Sequence, residues 1–329
     1  MRRSIDAPLK RVDKRLPAAK ISVSSTVLDF ALAARVIFVT GKGGVGKTTV
    51  VAALARAIAA RGHRALVTEI GIPGDDYSPL AGLFGRHQLP REETLLLPNI
   101  HGVILLAQVG QELFAARTLR SKRLVRRIFD SDAIQGFLRF APSCRELGIY
   151  YHLLSLVQKQ DDSGRARYDK IIVDMPATGH ALALTSLPKV IKKLFQRGPI
   201  ARVIEEGQRC FNDPQMTRAL VVTLADQLPV SETIELIAGL EQSDTAVGGI
   251  FVNRVTENLF THQEAELLRA ALSNGQLLGA ETLDRIGKAS RAIARLRADT
   301  RYPIRVVPEF ATADLVAQIA AAIDGEPTA

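Results

Sequence analysis

The segment Gly41-Lys42-Gly43-Gly44-Val45-Gly46-Lys47-Thr48 constrains this chain most, because it fits G-x-x-x-x-G-K-[ST]. It follows a β-branched run, Val36 to Thr40, and opens an Ala-rich helical pattern, Thr48 to Arg61, that ends at Gly62. Strand, glycine turn and helix are the context in which such a loop cradles phosphate. Gly41, Gly43, Gly44, Val45 and Gly46 would turn the backbone so that successive N–H groups face phosphate oxygens. The helix N-terminus adds its positive end. Lys47 is expected at the β- and γ-phosphates, the Thr48 hydroxyl on Mg²⁺, and Thr49 near the α-phosphate. A chance glycine-rich turn would not bring strand, helix, Lys and Thr together. Lys42 adds a further positive charge beside the phosphates.

The rest of the chain alternates strands with helices. Short apolar runs at Val36–Thr40, Ala65–Ile70, Gly102–Gln108, Ile171–Asp174, Ala219–Leu224, Gly249–Asn253 and Ile304–Val307 read as strands buried on both faces. Helical patterns follow at Ser231–Glu241, Thr261–Ser273, Leu283–Arg297 and Thr312–Ile323. This predicts an α/β fold with a doubly wound, mostly parallel sheet. Residues 110–165 and 181–215 are too long for simple crossovers and read as helical insertions layered over one end of the sheet. Residues 1–26 carry seven basic against two acidic residues and read as a basic leader. The ATPase-type domain is then expected over residues 27–329.

The run Ile171-Ile172-Val173-Asp174 is an apolar strand ending in a carboxylate, the second element of a phosphate-loop site. Asp174 would stand beside Mg²⁺, which keeps several of its waters. The following Pro176-Ala177-Thr178-Gly179-His180 turn is placed to sense a γ-phosphate. His180 reads equally as a turn residue satisfied by backbone.

Taken together, Gly41–Thr49 and Asp174–His180 resemble the arsenite-pump ATPase (ArsA) family, which includes the tail-anchored-protein-targeting ATPase. Ala181–Pro188, Gly198-Pro199-Ile200 and Val222–Thr233 extend the likeness, which covers about residues 27–325 and is nearest to bacterial single-domain members. The resemblance implies ATP and Mg²⁺ as cofactors and a homodimer switched by nucleotide, with the helical layer reporting nucleotide state to a client or partner. It implies that Lys42, the extra lysine of the "deviant" loop, crosses the dimer interface to the partner's nucleotide. It gives Asn253 and Pro308 to adenine; by itself Asn253 is a plain strand-end turn former. Lys42, Lys47, Asp174 and Glu69 form the implied catalytic set, and Thr48 and Asp174 the metal set.

The likeness has gaps. The family's first switch reads D-P-A, and its Asp orients the attacking water; here Thr68-Glu69-Ile70-Gly71 is followed by Ile72-Pro73-Gly74-Asp75-Asp76. Glu69 is nearest to that Asp, with Asp75 and Asp76 as alternatives, so slow or partner-dependent hydrolysis is expected. No CxxC is present, so the zinc clasp of the targeting ATPase is not expected. Cys144 and Cys210 lie 66 positions apart, and three thiolates from one chain are impossible. A metalloid-stimulated pump ATPase is therefore disfavoured.

The formal charge of +9 permits anionic partners without selecting one. Aromatics make up only 5% of the chain and Trp is absent, which argues against a base-stacking platform for nucleic acid. Arg117 to Arg127 reads as a basic amphipathic helix, suited to solvent, a membrane surface or a partner, and a second basic run spans Arg285 to Arg305. No run of apolar residues is long enough to cross a membrane and no signal peptide is evident, so a cytoplasmic ATPase is expected. Two other classes stay open: a nucleotide-binding recognition module with little turnover, and a partitioning ATPase on DNA or membrane.

Overall fold

The computed structural model describes residues 27–72, 74, 76–118, 142–177, 197, 199–272 and 280–325. Eight strands form one sheet: β1 (Val36–Gly41), β2 (Ala65–Ile70), β3 (Thr94–Leu97), β4 (Ile100–Leu105), β5 (Lys170–Asp174), β6 (Thr217–Leu224), β7 (Val247–Val255) and β8 (Ile304–Pro308). Their order is β3-β4-β2-β5-β1-β6-β7-β8, and every neighbouring pair is parallel except β3 with β4. The α/β reading therefore holds. The strand expected over Gly102–Gln108 begins and ends earlier, at Ile100 and Leu105. The edge strand β3 was not foreseen. Four residues at a sheet edge carry too little pattern to read, and their pairing depends on a two-residue turn, Pro98-Asn99, with Asn99 left-handed at φ 61°.

Among the described residues the helices are α1 (Val27–Ala33), α2 (Lys47–Ala60), α3 (Pro79–Gly82), α4 (Ala107–Thr118), α5 (Pro142–Gln158), α6 (Pro199–Phe211), α7 (Gln227–Gln242), α8 (His262–Leu272), α9 (Ala280–Asp299) and α10 (Leu315–Asp324). Side chains alternate across the strands, so one set of apolar residues feeds each face of the sheet. Val36, Phe38, Ile171, Val173 and Val221 pack on the face covered by α5, α6, α7 and α9. Ile37, Val39, Ile172, Leu220 and Val222 pack on the opposite face, under α1, α2 and α10. Burial on both sides explains why the strands read as continuous apolar runs. Of the two expected insertions, the described parts are α4, α5 and α6; residues 119–141 and 178–196, like residues 1–26, lie outside the described residues.

Two glycines let α4 and α5 approach closely. A Cβ on Gly110 would overlap the Gly148 carbonyl, and one on Gly148 the Ala107 carbonyl. His152 ties α5 to the residue just before α4. The Leu106 N–H donates to its Nδ1 at 3.2 Å, so that nitrogen must be unprotonated. Burial holds the imidazole below its ordinary value, while Glu93 and Lys159 act in opposite senses. The unfolded chain takes up a proton near pH 6.5 and the folded chain only at lower pH. Unfolding free energy should therefore fall as pH drops below about 6.5, by up to about 1.4 kcal/mol per pH unit. Urea unfolding at pH 7.5 and 5.5 checks this, and His152→Gln should flatten the slope. A variant as acid-sensitive as the parent would show that other groups carry it.

Candidate functional site

The site is assembled at the carboxyl ends of β1, β2, β5 and β7. In parallel sheets the crevice where strand order reverses beside the first strand is where ligands gather; here β1 lies between β5 and β6. The loop after β1 depends on glycine at particular points. Gly41 has φ 148° and faces the Val222 carbonyl on β6, where a Cβ would overlap. Gly44 and Gly46 are left-handed at φ 80° and 92°. Gly46 is the N-cap of α2 and supplies no side-chain hydrogen bond to it, so the first-turn amides keep their donors toward the loop. Val45 is buried in the core, while Lys42, Gly43 and Gly44 are exposed.

Lys47, Thr48 and Asp174 come together there. The Thr48 hydroxyl donates to Asp174 Oδ2 at 2.6 Å. Asp174 Oδ1 is buried without a hydrogen-bond partner. Burial pushes the Asp174 carboxyl up to about 6, against the Thr48 hydrogen bond and the Lys47 charge, which pull it down. Lys47 reaches back across the loop and donates to the Lys42 carbonyl at 2.9 Å. Burial lowers its pKa, and Asp174 opposes that. A hydroxyl and a carboxylate with one oxygen unsatisfied are hard donors of the kind Mg²⁺ prefers, so the chemistry of the set fits the metal.

Glu69, next to last in β2, lies directly beside Asp174 in the β2/β5 register. Burial raises its pKa first; the Ser78 hydroxyl lowers it, the Asp174 charge raises it, and the Leu80 amide lowers it. Glu69 opens into a cleft of about 480 Å³ that Asp76, Tyr77 and Arg91 also line. Asp76 is exposed; Asp75 lies outside the described residues, as do Thr178, Gly179 and His180.

Asn253 lies beneath the loop rather than out at its rim. It is 2% exposed, and its Nδ2 donates to the Val45 carbonyl at 2.9 Å. A Cβ on Gly46 would collide with that amide nitrogen. Asn253 Oδ1 is buried and unpartnered. Pro308 ends β8 and pairs with Val255, one strand beyond Asn253. Thr49 is in the first turn of α2. Lys42 turns away from the loop and forms an ion pair with Glu232 of α7 at 2.6 Å. Reading the sequence assigned no role to Glu232. Nothing local couples residues 190 positions apart, so that pairing is decided by packing.

The model of the anion-transporting ATPase family matches residues 34–201, just over half of the chain. The chain belongs to that family. This ArsA-type chain is 31% identical to ATPase BagA of Mycobacterium tuberculosis over 72% of its own length and 69% of the relative's. It is also 31% identical to a protein named as an arsenical pump-driving ATPase of Chlorobaculum tepidum, but over 48% of this chain and 36% of that one. To ATPase GET3 of Candida glabrata it is 23% identical over 67% and 71% of the two chains. Family membership makes this an ATP-using chain of the ArsA type, and the matched span contains the loop, Glu69 and Asp174. Asn253 and Pro308 fall beyond that span. Among the described residues no three His, Cys, Asp or Glu side chains group to hold a metal, and no helix is long and apolar enough to cross a membrane.

Proposed function

We propose that the chain hydrolyses ATP in a Mg²⁺-dependent reaction and works as a nucleotide-switched homodimer that captures a client or partner protein. The Thr48–Asp174 pair at the mouth of the glycine loop carries this reading. Thr48 and Asp174 would hold Mg²⁺, which neutralises charge on the phosphate oxygens. The loop amides and Lys47 would bind the phosphates, and Lys42 would serve the partner's phosphates. Asn253 and Pro308 are the adenine residues that the family resemblance implies, and Asn253, buried beneath the loop, would have to leave the Val45 carbonyl to reach a base. Phosphoryl transfer needs positioning and charge more than covalent chemistry, and every part of this site is of that kind. Glu69, beside Asp174, would orient the attacking water. Its burial and its ties to Ser78 and Leu80 favour slow turnover in the resting chain.

One relative is named as an arsenical pump-driving ATPase, while the name ATPase GET3 states no cargo. Cys210 of α6 is partly buried, and burial pushes its thiol up to about 11. A thiol protonated at neutral pH is a poor ligand for a soft metalloid. Phosphate release by the purified chain should require Mg²⁺ and stop with a chelator. Antimonite should leave turnover unchanged, and Cys144→Ser/Cys210→Ser should behave like the parent. Stimulation of several fold that vanishes in the double variant would restore the pump reading. ATP binding with no phosphate release under any of these conditions would favour the recognition module instead.

A further inference from the structure

Three described residues other than glycine have positive φ: Asn99, Asp244 and Arg254. Asn and Asp tolerate the left-handed region through their short polar side chains. Arginine has no such compensation, yet Arg254 holds φ 54°. It directly follows the buried Asn253, at the point where the β7/β8 pairing shifts between Val252 and Val255. An irregularity of this kind at a strand end re-aims a side chain. The side chain is aimed at the loop. Its Nη2 lies 3.8 Å from where a Cβ on Gly46 would stand, over the N-terminus of α2.

Arg254 is exposed, and no described carboxylate forms an ion pair with it. Its neighbourhood is positive: the N-terminal end of a 14-residue helix, with Lys47 in the first turn. A guanidinium over a helix N-terminus stands beside the positive end of the helix dipole, and an anion between the two would be attracted by both. The left-handed backbone at Arg254 and the place of its guanidinium beside Gly46 together bring a cation to the mouth of the loop.

We infer that Arg254 is a nucleotide-contacting residue, whose guanidinium binds the anionic phosphate chain of the ligand held by the Gly41–Thr49 loop. The inference rests on the ATP-binding reading above and adds a third cation, from β7, to Lys42 and Lys47. A planar guanidinium suits phosphate oxygens because it donates two parallel hydrogen bonds.

The test is calorimetry with ATP and with inorganic tripolyphosphate on the full chain and on Arg254→Gln, Arg254→Lys and Arg254→Gly. Arg254→Gln should weaken both ligands by about tenfold, and Arg254→Lys should recover part of the loss. Arg254→Gly frees the left-handed backbone, so it should melt at a higher temperature than the parent while binding as weakly as Arg254→Gln. That opposition separates a ligand contact from a structural role. A loss seen with ATP but not with tripolyphosphate would assign Arg254 to the base and overturn the phosphate contact. Unchanged binding of both ligands, with Lys47→Ala still defective, would overturn the inference and leave the loop assignment standing. A parent chain that binds neither ligand would remove the ATP-binding reading itself.

Discussion

Lys47→Ala is expected to abolish ATP binding as seen by calorimetry, a loss of about a hundredfold or more. The ammonium lies at the entrance of the glycine loop, half-buried, where its charge is screened less than on the surface. Its hydrogen bond to the Lys42 carbonyl shows that it already spans the loop. Charge-assisted hydrogen bonds to phosphate contribute about 1.5–3 kcal/mol each, and two phosphates are within the motif's reach. The fold should survive, because α2 is anchored by buried Val50, Val51, Leu54 and Ile58 rather than by Lys47. An unchanged melting temperature would verify this. Undiminished ATP binding would remove the phosphate-loop assignment.

Lys42→Ala should instead leave ATP affinity nearly intact and suppress turnover by about 10³–10⁵, the range for a cation supplied in trans to a transferring phosphoryl group. Lys42 does not reach toward Lys47's side of the loop; it forms an ion pair with Glu232. About half of the Lys42 side chain and a quarter of that of Glu232 remain exposed. Ion pairs this open contribute roughly 0–1 kcal/mol, so a partner's phosphate can displace Glu232 at small expense. Mixing Lys42→Ala chains with Asp174→Asn chains decides between cis and trans action. In a mixed dimer the site with an intact Asp174 would receive Lys42 from the other chain, so one site of two should recover. No recovery, or a monomer by light scattering with ATP and Mg²⁺ present, would place Lys42 in its own site.

The sequence determined a good deal of this molecule, because much of its information is local. A glycine turn between a β-branched run and an Ala-rich helix can be read from short-range sterics, and the structure gives Gly44 and Gly46 the positive φ that the turn requires. Apolar runs of four to six residues specify strands buried on both faces, so β1, β2, β5, β6, β7 and β8 were legible together with their parallel class. The family resemblance was legible too, since it resides in two contiguous segments. The short helix α1 was not read, although Val27, Leu28 and Ala31 are buried against the sheet. Seven residues lack the periodicity to declare a helix, and its end is held by Lys170 of β5, whose Nζ donates to the Leu32 and Ala34 carbonyls.

What only the tertiary structure decided is which distant groups meet. Thr48 and Asp174 are 126 positions apart, and their 2.6 Å hydrogen bond exists because β5 pairs with β1. Val45 and Asn253 are 208 apart and share a hydrogen bond under the loop. Glu232 as the partner of Lys42, and Arg254 as a cation over Gly46, left no mark in the sequence beyond their residue types. The physical reason is that a periodic pattern encodes which face a residue turns to the core. The order of strands in the sheet is set by how the helices of the whole chain cover both faces, and that order alone places one carboxylate or guanidinium beside a loop rather than another.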